Sequence, residues 1–276
     1  MGLGDGGLRA AMAMHEKYEL LKQILRSLGS VAVAFSGGAD STFLLRSAFD
    51  VLGDKAMAVT VRLRSFPERE WRGAADFCEA AGIRYMFADL DELGIEGFAD
   101  NPANRCYLCK SAMMTKIRAI VNEIGIPHIA EGSHTDDDED DRPGMAALRE
   151  HGILSPLRRA GLSREDIRAL SRERGLATWD KQPFACLATR FPYGERITAE
   201  RLSLVGKAEQ YLLDRGFGQV RVRVHGGIAR IETDQEGFGI LRDRTLREGI
   251  YTAFRQWGFA YVALDLMGYR TGNMSE

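Results

Sequence analysis

The chain is sparing with cysteine. Four cysteines among 276 residues, with no stretch that reads as a secretory signal, exclude a disulfide framework as the organising device. No apolar run approaches the ~18 residues of a membrane span. Charge of neither sign is in excess: the formal net charge is −2, which excludes a globally basic nucleic-acid or anionic-membrane binder. Five histidines show no metal-ligand spacing, and there is no internal repeat or long linker. What is present is ordinary globular material, 45% hydrophobic and 28% charged, in a length that suits about two domains.

The most informative stretch is Val31-Ala32-Val33-Ala34-Phe35 leading into Ser36-Gly37-Gly38-Ala39-Asp40-Ser41. An apolar strand becomes a glycine turn, and the turn opens a helix over Thr42 to Leu52. Free backbone N–H groups then stand at the positive end of a helix dipole, a site suited to phosphate. Gly37 and Gly38 lack Cβ atoms, so an anion can come close to the main chain. No Gly-Lys-Ser/Thr follows, so this is not the kinase-type P-loop, and the turn does not read as the dinucleotide fingerprint either. Asp40 and Ser41 fall where Mg²⁺ or phosphate contacts are wanted.

Periodicity along the chain predicts an open α/β sheet. Tyr18, Leu21, Ile24, Leu25 and Leu28 form a helical stripe, with residues 1–17 read as a flexible tail. Strands are expected at Ala56 to Leu63, Arg84 to Ala88 and His128 to Ala130. Helices are expected from Pro67 to Ala81, through the stripe Met113, Met114, Ile117, Ile120, Val121 and Ile124, and from Ser163 to Gly175. Alternating strands and helices imply right-handed βαβ units, with ligands bound beyond the strands' carboxyl ends. The texture changes near Pro192: a helix from Ile197 to Gly216, a hairpin, further helices over 237–257 and a strand at Ala260 to Leu264. This gives a first domain over residues 18–185 and a small α+β domain over 186–276.

The cysteines are the second signal. Cys106 and Cys109 are separated by two residues just before a helix, and Arg105 and Lys110 beside them favour thiolates. Cys186 stands near the domain junction, and Cys78 reads as a small buried apolar residue. Three cysteines suit a [4Fe–4S] cluster with one open iron. A zinc site wants a fourth ligand, with His128 and His134 near in sequence, and a redox dithiol or an inert set stay open.

Val220-Arg221-Val222-Arg223-Val224-His225, Gly226-Gly227 and Ile228-Ala229-Arg230-Ile231-Glu232-Thr233 read as a hairpin with a two-residue turn. That register sets Arg223 opposite Arg230 and Arg221 opposite Glu232. Like charges opposed in a sheet are unfavourable, and an anion between them would relieve the repulsion. The alternative is an edge of solvated arginines. The acidic run Asp136 to Asp141 reads as a solvated loop, and Trp71, Trp179 and Trp257 as packing residues.

Taken together, SGGADS, the RCYLCK pair, Glu131-Gly132-Ser133, Asp141-Arg142-Pro143-Gly144 and CLATRFPYG resemble the LarE-type sulfur transferases of the PP-loop superfamily, over about Tyr18 to Gly268. The resemblance implies that ATP and Mg²⁺ activate a carboxylate of pyridinium-3,5-biscarboxylic acid mononucleotide. A sulfur nucleophile then displaces AMP and leaves a thiocarboxylate, on the way to a nickel-pincer nucleotide. It implies an ATP site at Ser36, Gly37, Gly38, Asp40, Ser41 and Gly132, with Asp40 also catalytic, and a substrate-phosphate site at Arg221 and Arg223. It implies two sulfur routes: Cys186 as nucleophile and sulfur donor, or Cys106, Cys109 and Cys186 as ligands of a [4Fe–4S] cluster. Three cysteines favour the cluster route. Also implied are a small-molecule nucleotide substrate, no nucleic acid or membrane partner, a cytoplasmic homo-oligomer and a downstream nickel-inserting enzyme. Competing readings are a tRNA thiolase, an amide-forming synthetase such as an NAD or GMP synthetase, and a non-catalytic ATP-binding metal or redox sensor.

Overall fold

The computed structural model describes residues 5–137 and 143–270, with side chains from residue 12 onward. Residues 138–141 of the acidic run, Arg142 of the family motif and residues 1–4 of the expected tail lie outside the described residues. The chain divides into two compact units, one of residues 1–63, 68–90 and 106–184, the other of 64–67, 91–105 and 185–276.

The first unit runs α1 (Asp5–Leu28), β1 (Val31–Ala34), α2 (Ala39–Leu52), β2 (Ala56–Arg62), α3 (Glu68–Ala81), β3 (Tyr85–Asp89), α4 (Arg105–Glu123), β4 (Ile129–Ala130), α5 (Pro143–Glu150), α6 (Pro156–Arg159) and α7 (Arg164–Glu173). The four strands form a parallel sheet in the order β3-β2-β1-β4. β1 and β2 are almost wholly apolar and buried on both faces, the pattern of a sheet covered by helices. α2 packs on both strands and also meets α1 and α7. Leu21, Leu25, Phe43, Leu44, Leu45, Val31 and Val33 fill one continuous core. α7 starts with the expected Ser163–Asp166 capping box.

One expectation is corrected at the amino terminus. The segment read as a tail through residue 17 is helical from Asp5, and Met14 and Tyr18 are buried with the core. The i, i+4, i+7 and i+11 positions Met14, Tyr18, Leu21 and Leu25 make one stripe, so burial extends the helix past what its glycines favour.

The second unit holds α8 (Ala199–Leu213), β5 (Val220–His225), β6 (Ile228–Thr233), α9 (Gln235–Ile240), α10 (Arg244–Gln256) and β7 (Tyr261–Leu264). β5 and β6 form the hairpin, and β7 adds parallel to β6 in the order β5-β6-β7. The hairpin register is the expected one, Arg223 opposite Arg230 and Arg221 opposite Glu232. Leu202, Val205, Ala208 and Leu212 of α8 are buried, as are Val220, Val222 and Val224. Trp257 packs edge-on to Tyr211 and tilted against Phe254, a packing role. Among the described residues no helix is long and apolar enough to cross a membrane.

Candidate functional site

The strand order places a switch point between β1 and β4. The chain leaves β1 toward β2 and β3 on one side and returns to its other side as β4, so the loops after β1 and β4 diverge at the same carboxyl edge. Those two loops are Ser36–Ser41 and Glu131–His134.

In the first loop Gly37 has φ +71°, a left-handed conformation that favours glycine, and a Cβ there would lie 3.2 Å from the Cβ of Ala74 on α3. Gly38 precedes α2, and its carbonyl accepts the first intrahelical bond, from the Thr42 N–H at 3.0 Å. The amides of Ala39, Asp40 and Ser41 therefore have no helical acceptor and face the loop's mouth at the dipole's positive end. Ser36 Oγ lies 3.1 Å from Ser41 Oγ, and Ser41 Oγ donates to Gly38 O at 3.2 Å.

The second loop closes on the first. A Cβ on Gly132 would lie 3.0 Å from the Ser41 nitrogen and 3.2 Å from the Asp40 carbonyl carbon. Any larger residue would push the two loops apart by a few tenths of an ångström. Glu131 fixes the turn: its carboxylate accepts from Ser133 N–H and Oγ at 3.1 and 2.7 Å and from Ser155 Oγ at 2.5 Å. Six sequence-derived positions, Ser36, Gly37, Gly38, Asp40, Ser41 and Gly132, thus stand at one place.

Asp40 is held in an unusual setting. Burial pushes its carboxyl above the usual carboxylate range, partly offset by His134 and Arg164. His134, weighed in the sequence only as a possible fourth zinc ligand, is buried with its Nε2 4.0 Å from Asp40 and 3.7 Å from Asp137. Its Nδ1 lies 3.2 Å from the Asp136 amide nitrogen, and its Nε2 faces the carboxylates of Asp40 and Asp137.

The cysteines are distributed over both units. Cys106 and Cys109 are the second and fifth residues of α4, which starts eight residues before the apolar stripe that announced it, so they lie within the helix, about one turn apart, and not before it. Cys106 is exposed and Cys109 buried. Cys186 belongs to the second unit and is half-buried. Among the described residues no group of three or more His, Cys, Asp or Glu side chains is assembled to hold a metal ion. Cys78 is buried, and its thiol is pushed up to about 12 by that burial and by Glu79.

In the second unit the arginine face is neither solvated nor unopposed. Arg221 and Arg223 are buried, and the Glu232 carboxylate bridges the opposed arginines, taking Arg223 Nε at 3.0 Å and Arg230 at 2.9 Å. The anion expected between them is a side chain of β6 itself. Arg223 also donates to Thr189 O at 2.7 Å. Arg190, fully buried, is bidentate to Glu209 at 2.6 and 3.1 Å, and Glu209 accepts the Val222 N–H at 2.9 Å. Arg230 pairs with Asp265 as well. Four guanidiniums, of Arg190, Arg221, Arg223 and Arg230, thus stand among three carboxylates. Burial and the Arg190 charge pull Arg221 and Arg223 below the usual guanidinium range. A guanidinium does not give up its proton in a protein, so the shift marks a desolvation cost that the Glu209 and Glu232 carboxylates offset in part.

A parallel sheet whose switch point carries an SGGADS turn under a helix amino terminus, met by a glycine of the neighbouring loop, defines the PP-loop class of ATP-handling enzymes. Sequence comparison agrees and goes further. Over 264 residues the chain is 36% identical to the pyridinium-3,5-bisthiocarboxylic acid mononucleotide synthase of Lactiplantibacillus plantarum, covering 94% of both chains. It is 38% identical over 264 residues to an uncharacterized protein of Synechocystis sp., covering 95% of this chain and 98% of that one. A more distant likeness, 27% over 205 residues, links it to a glutamine-hydrolyzing GMP synthase chain of Thermoplasma acidophilum, over 68% of this chain and 64% of that one. No protein-family model matches. The chain belongs to the LarE family, that of the Lactiplantibacillus synthase.

Proposed function

We propose that this protein is an ATP-dependent sulfur transferase that turns a carboxylate of pyridinium-3,5-biscarboxylic acid mononucleotide into a thiocarboxylate. The observation that carries the reading is the approach of Gly132 to the Asp40–Ser41 backbone, which leaves a cradle of main-chain amides at the switch point of a chain 36% identical to the named synthase.

The substrate carboxylate oxygen attacks the α-phosphorus of ATP, the α–β phosphoanhydride bond breaks, and pyrophosphate leaves. The amides of the Ser36–Ser41 loop stabilise charge on the departing pyrophosphate. Asp40 and Ser41 are the residues that would hold Mg²⁺, which neutralises the polyphosphate when bound. The acyl-adenylate now has a good leaving group. A sulfur nucleophile adds to its carbonyl carbon, the C–O bond to AMP breaks, and AMP departs.

In one form of this step Cys186 Sγ attacks the carbonyl carbon as AMP leaves, and loss of the Cys186 Cα proton with cleavage of its Cβ–Sγ bond then leaves the thiocarboxylate on the substrate and dehydroalanine at position 186. In the other, Cys106, Cys109 and Cys186 would hold a [4Fe–4S] cluster, which when bound would present a hydrosulfide taken from the external sulfide source as the nucleophile. The donor set supports the second form, since three thiols leave one iron open. Arg221 and Arg223 take the substrate phosphate, a reading supported by the surplus of buried positive charge around them. The reduced thiols fit the cytoplasm, and a homo-oligomer serving a nickel-inserting enzyme completes the proposal.

The test is product analysis with purified protein, ATP, Mg²⁺, substrate nucleotide and a sulfide source. AMP, pyrophosphate and thiocarboxylate are expected in equal amounts; ADP and inorganic phosphate would contradict the reading. Arg223→Ala is expected to weaken binding of the substrate nucleotide while ATP binding stays nearly intact. Equal loss of both ligands, or of neither, would count against the phosphate assignment.

A further inference from the structure

Lys181 lies in an irregular segment after α7, and no motif marks it. Its ammonium donates to the Gly37 carbonyl oxygen at 3.0 Å and lies 3.0 Å from Glu70 Oε2 on α3. Glu70 is mostly buried, and its other oxygen faces Arg69 Nε at 3.4 Å. The Arg69 guanidinium in turn stacks over the Phe184 ring at 5.4 Å, so the segment 181–184 meets the first turn of α3 at both ends. One turn further along α3, Ala74 is the residue that Gly37 packs against.

Across a trans peptide the carbonyl and the following N–H point in opposite directions. An ammonium that fixes the Gly37 carbonyl therefore also fixes the Gly38 N–H, which points away from Lys181 toward Ser36 Oγ at 3.4 Å. A glycine pair is the most mobile place in the loop and the one with most to gain from such a hold. We propose that Lys181, oriented by Glu70, is a positioning residue that locks the Gly37–Gly38 peptide with its N–H toward the polyphosphate of ATP. The inference rests on the loop being the ATP polyphosphate site.

The experiment is calorimetric titration of ATP and, separately, adenosine into the wild-type chain, Lys181→Met, Lys181→Arg and Glu70→Gln. A charge-assisted hydrogen bond supports a loss of about tenfold in ATP affinity for Lys181→Met, with adenosine affinity within about twofold of wild type. Lys181→Arg, which can still donate to the carbonyl, is expected to recover most of the loss. Glu70→Gln, which leaves the fold's shape unchanged, is expected to weaken ATP binding about threefold because the ammonium loses its anchor. Unchanged ATP affinity in Lys181→Met, or parallel loss of ATP and adenosine, would overturn the proposal. So would tighter ATP binding in Glu70→Gln, since that would make Lys181 a phosphate ligand and not a clamp. A wild-type chain that fails to bind ATP would overturn the reading of the loop itself, an outcome distinct from the others.

Discussion

The two units treat charge in opposite ways. The first surrounds a sheet of valine and alanine with apolar helices and brings to its carboxyl edge mostly main-chain amides, exposed by glycines at 37, 38 and 132. The second buries charge: Arg190 and Glu209, Arg223 and Glu232 lie inside it, nearly free of solvent. A backbone cradle is rigid and indifferent to the rest of the ligand, which suits the polyphosphate of a common fuel. A lattice of buried guanidiniums and carboxylates is costly to desolvate and exacting in geometry, which agrees with the nucleotide recognition proposed for it.

The contrast breaks most readily at its charged end. Glu209→Ala leaves Arg190, 0% exposed, without this carboxylate and strips an acceptor from the Val222 N–H. A loss of about 3–5 kcal/mol in urea unfolding is expected, similar to the ~3–5 kcal/mol for Phe43→Ala in the apolar core of the first unit. A loss below about 1 kcal/mol would mean that solvent already reaches the pair. At the backbone end, Gly132→Ala drives a methyl group into the Ser41 amide. ATP affinity should fall at least about tenfold, roughly 1.4 kcal/mol, with substrate-nucleotide affinity unchanged.

Asp40 sharpens the comparison, because it is the carboxyl that the first unit keeps under strain. The folded chain holds its proton more tightly than the unfolded chain does, so ionisation costs stability as pH rises from the ordinary value of 3.8 through the raised one. Asp40→Asn should therefore melt slightly higher than wild type at neutral pH while losing pyrophosphate release. Its thermal advantage should vanish as pH falls toward 3.8. A lower melting temperature at pH 7 would show that attraction to His134 and Arg164 outweighs burial. The smallest effect concerns thiols: in alkylation followed by mass spectrometry Cys106 should react first and Cys78 last, since the one is exposed and the other has a thiol pushed up to about 12. Rapid labelling of Cys78 would contradict its burial.

Much of this was legible in the residues because the signals are local. The Gly226-Gly227 turn and strict alternation fix the hairpin register to the residue, and the strand–glycine–helix string fixes the nucleotide loop. What escaped depends on distance in the sequence. Glu232 as the bridging anion follows from side chains leaning diagonally, which register alone does not reveal. His134 and Lys181 reach the loop from segments far from it and carry no periodicity. The early start of α1 comes from tertiary burial of Met14, against local propensity, and the short helices α5 and α6 offer too few turns for a pattern.

The account's central claim is that the glycine cradle at the β1–β4 edge serves cleavage of ATP between its α and β phosphates. Incubation with α-³²P-labelled ATP, Mg²⁺ and the biscarboxylic acid nucleotide measures this directly. Labelled AMP should accumulate in step with pyrophosphate in the wild-type chain and, at subsaturating ATP, about tenfold more slowly in Gly132→Ala; labelled ADP, or AMP formation untouched by that methyl group, would contradict it.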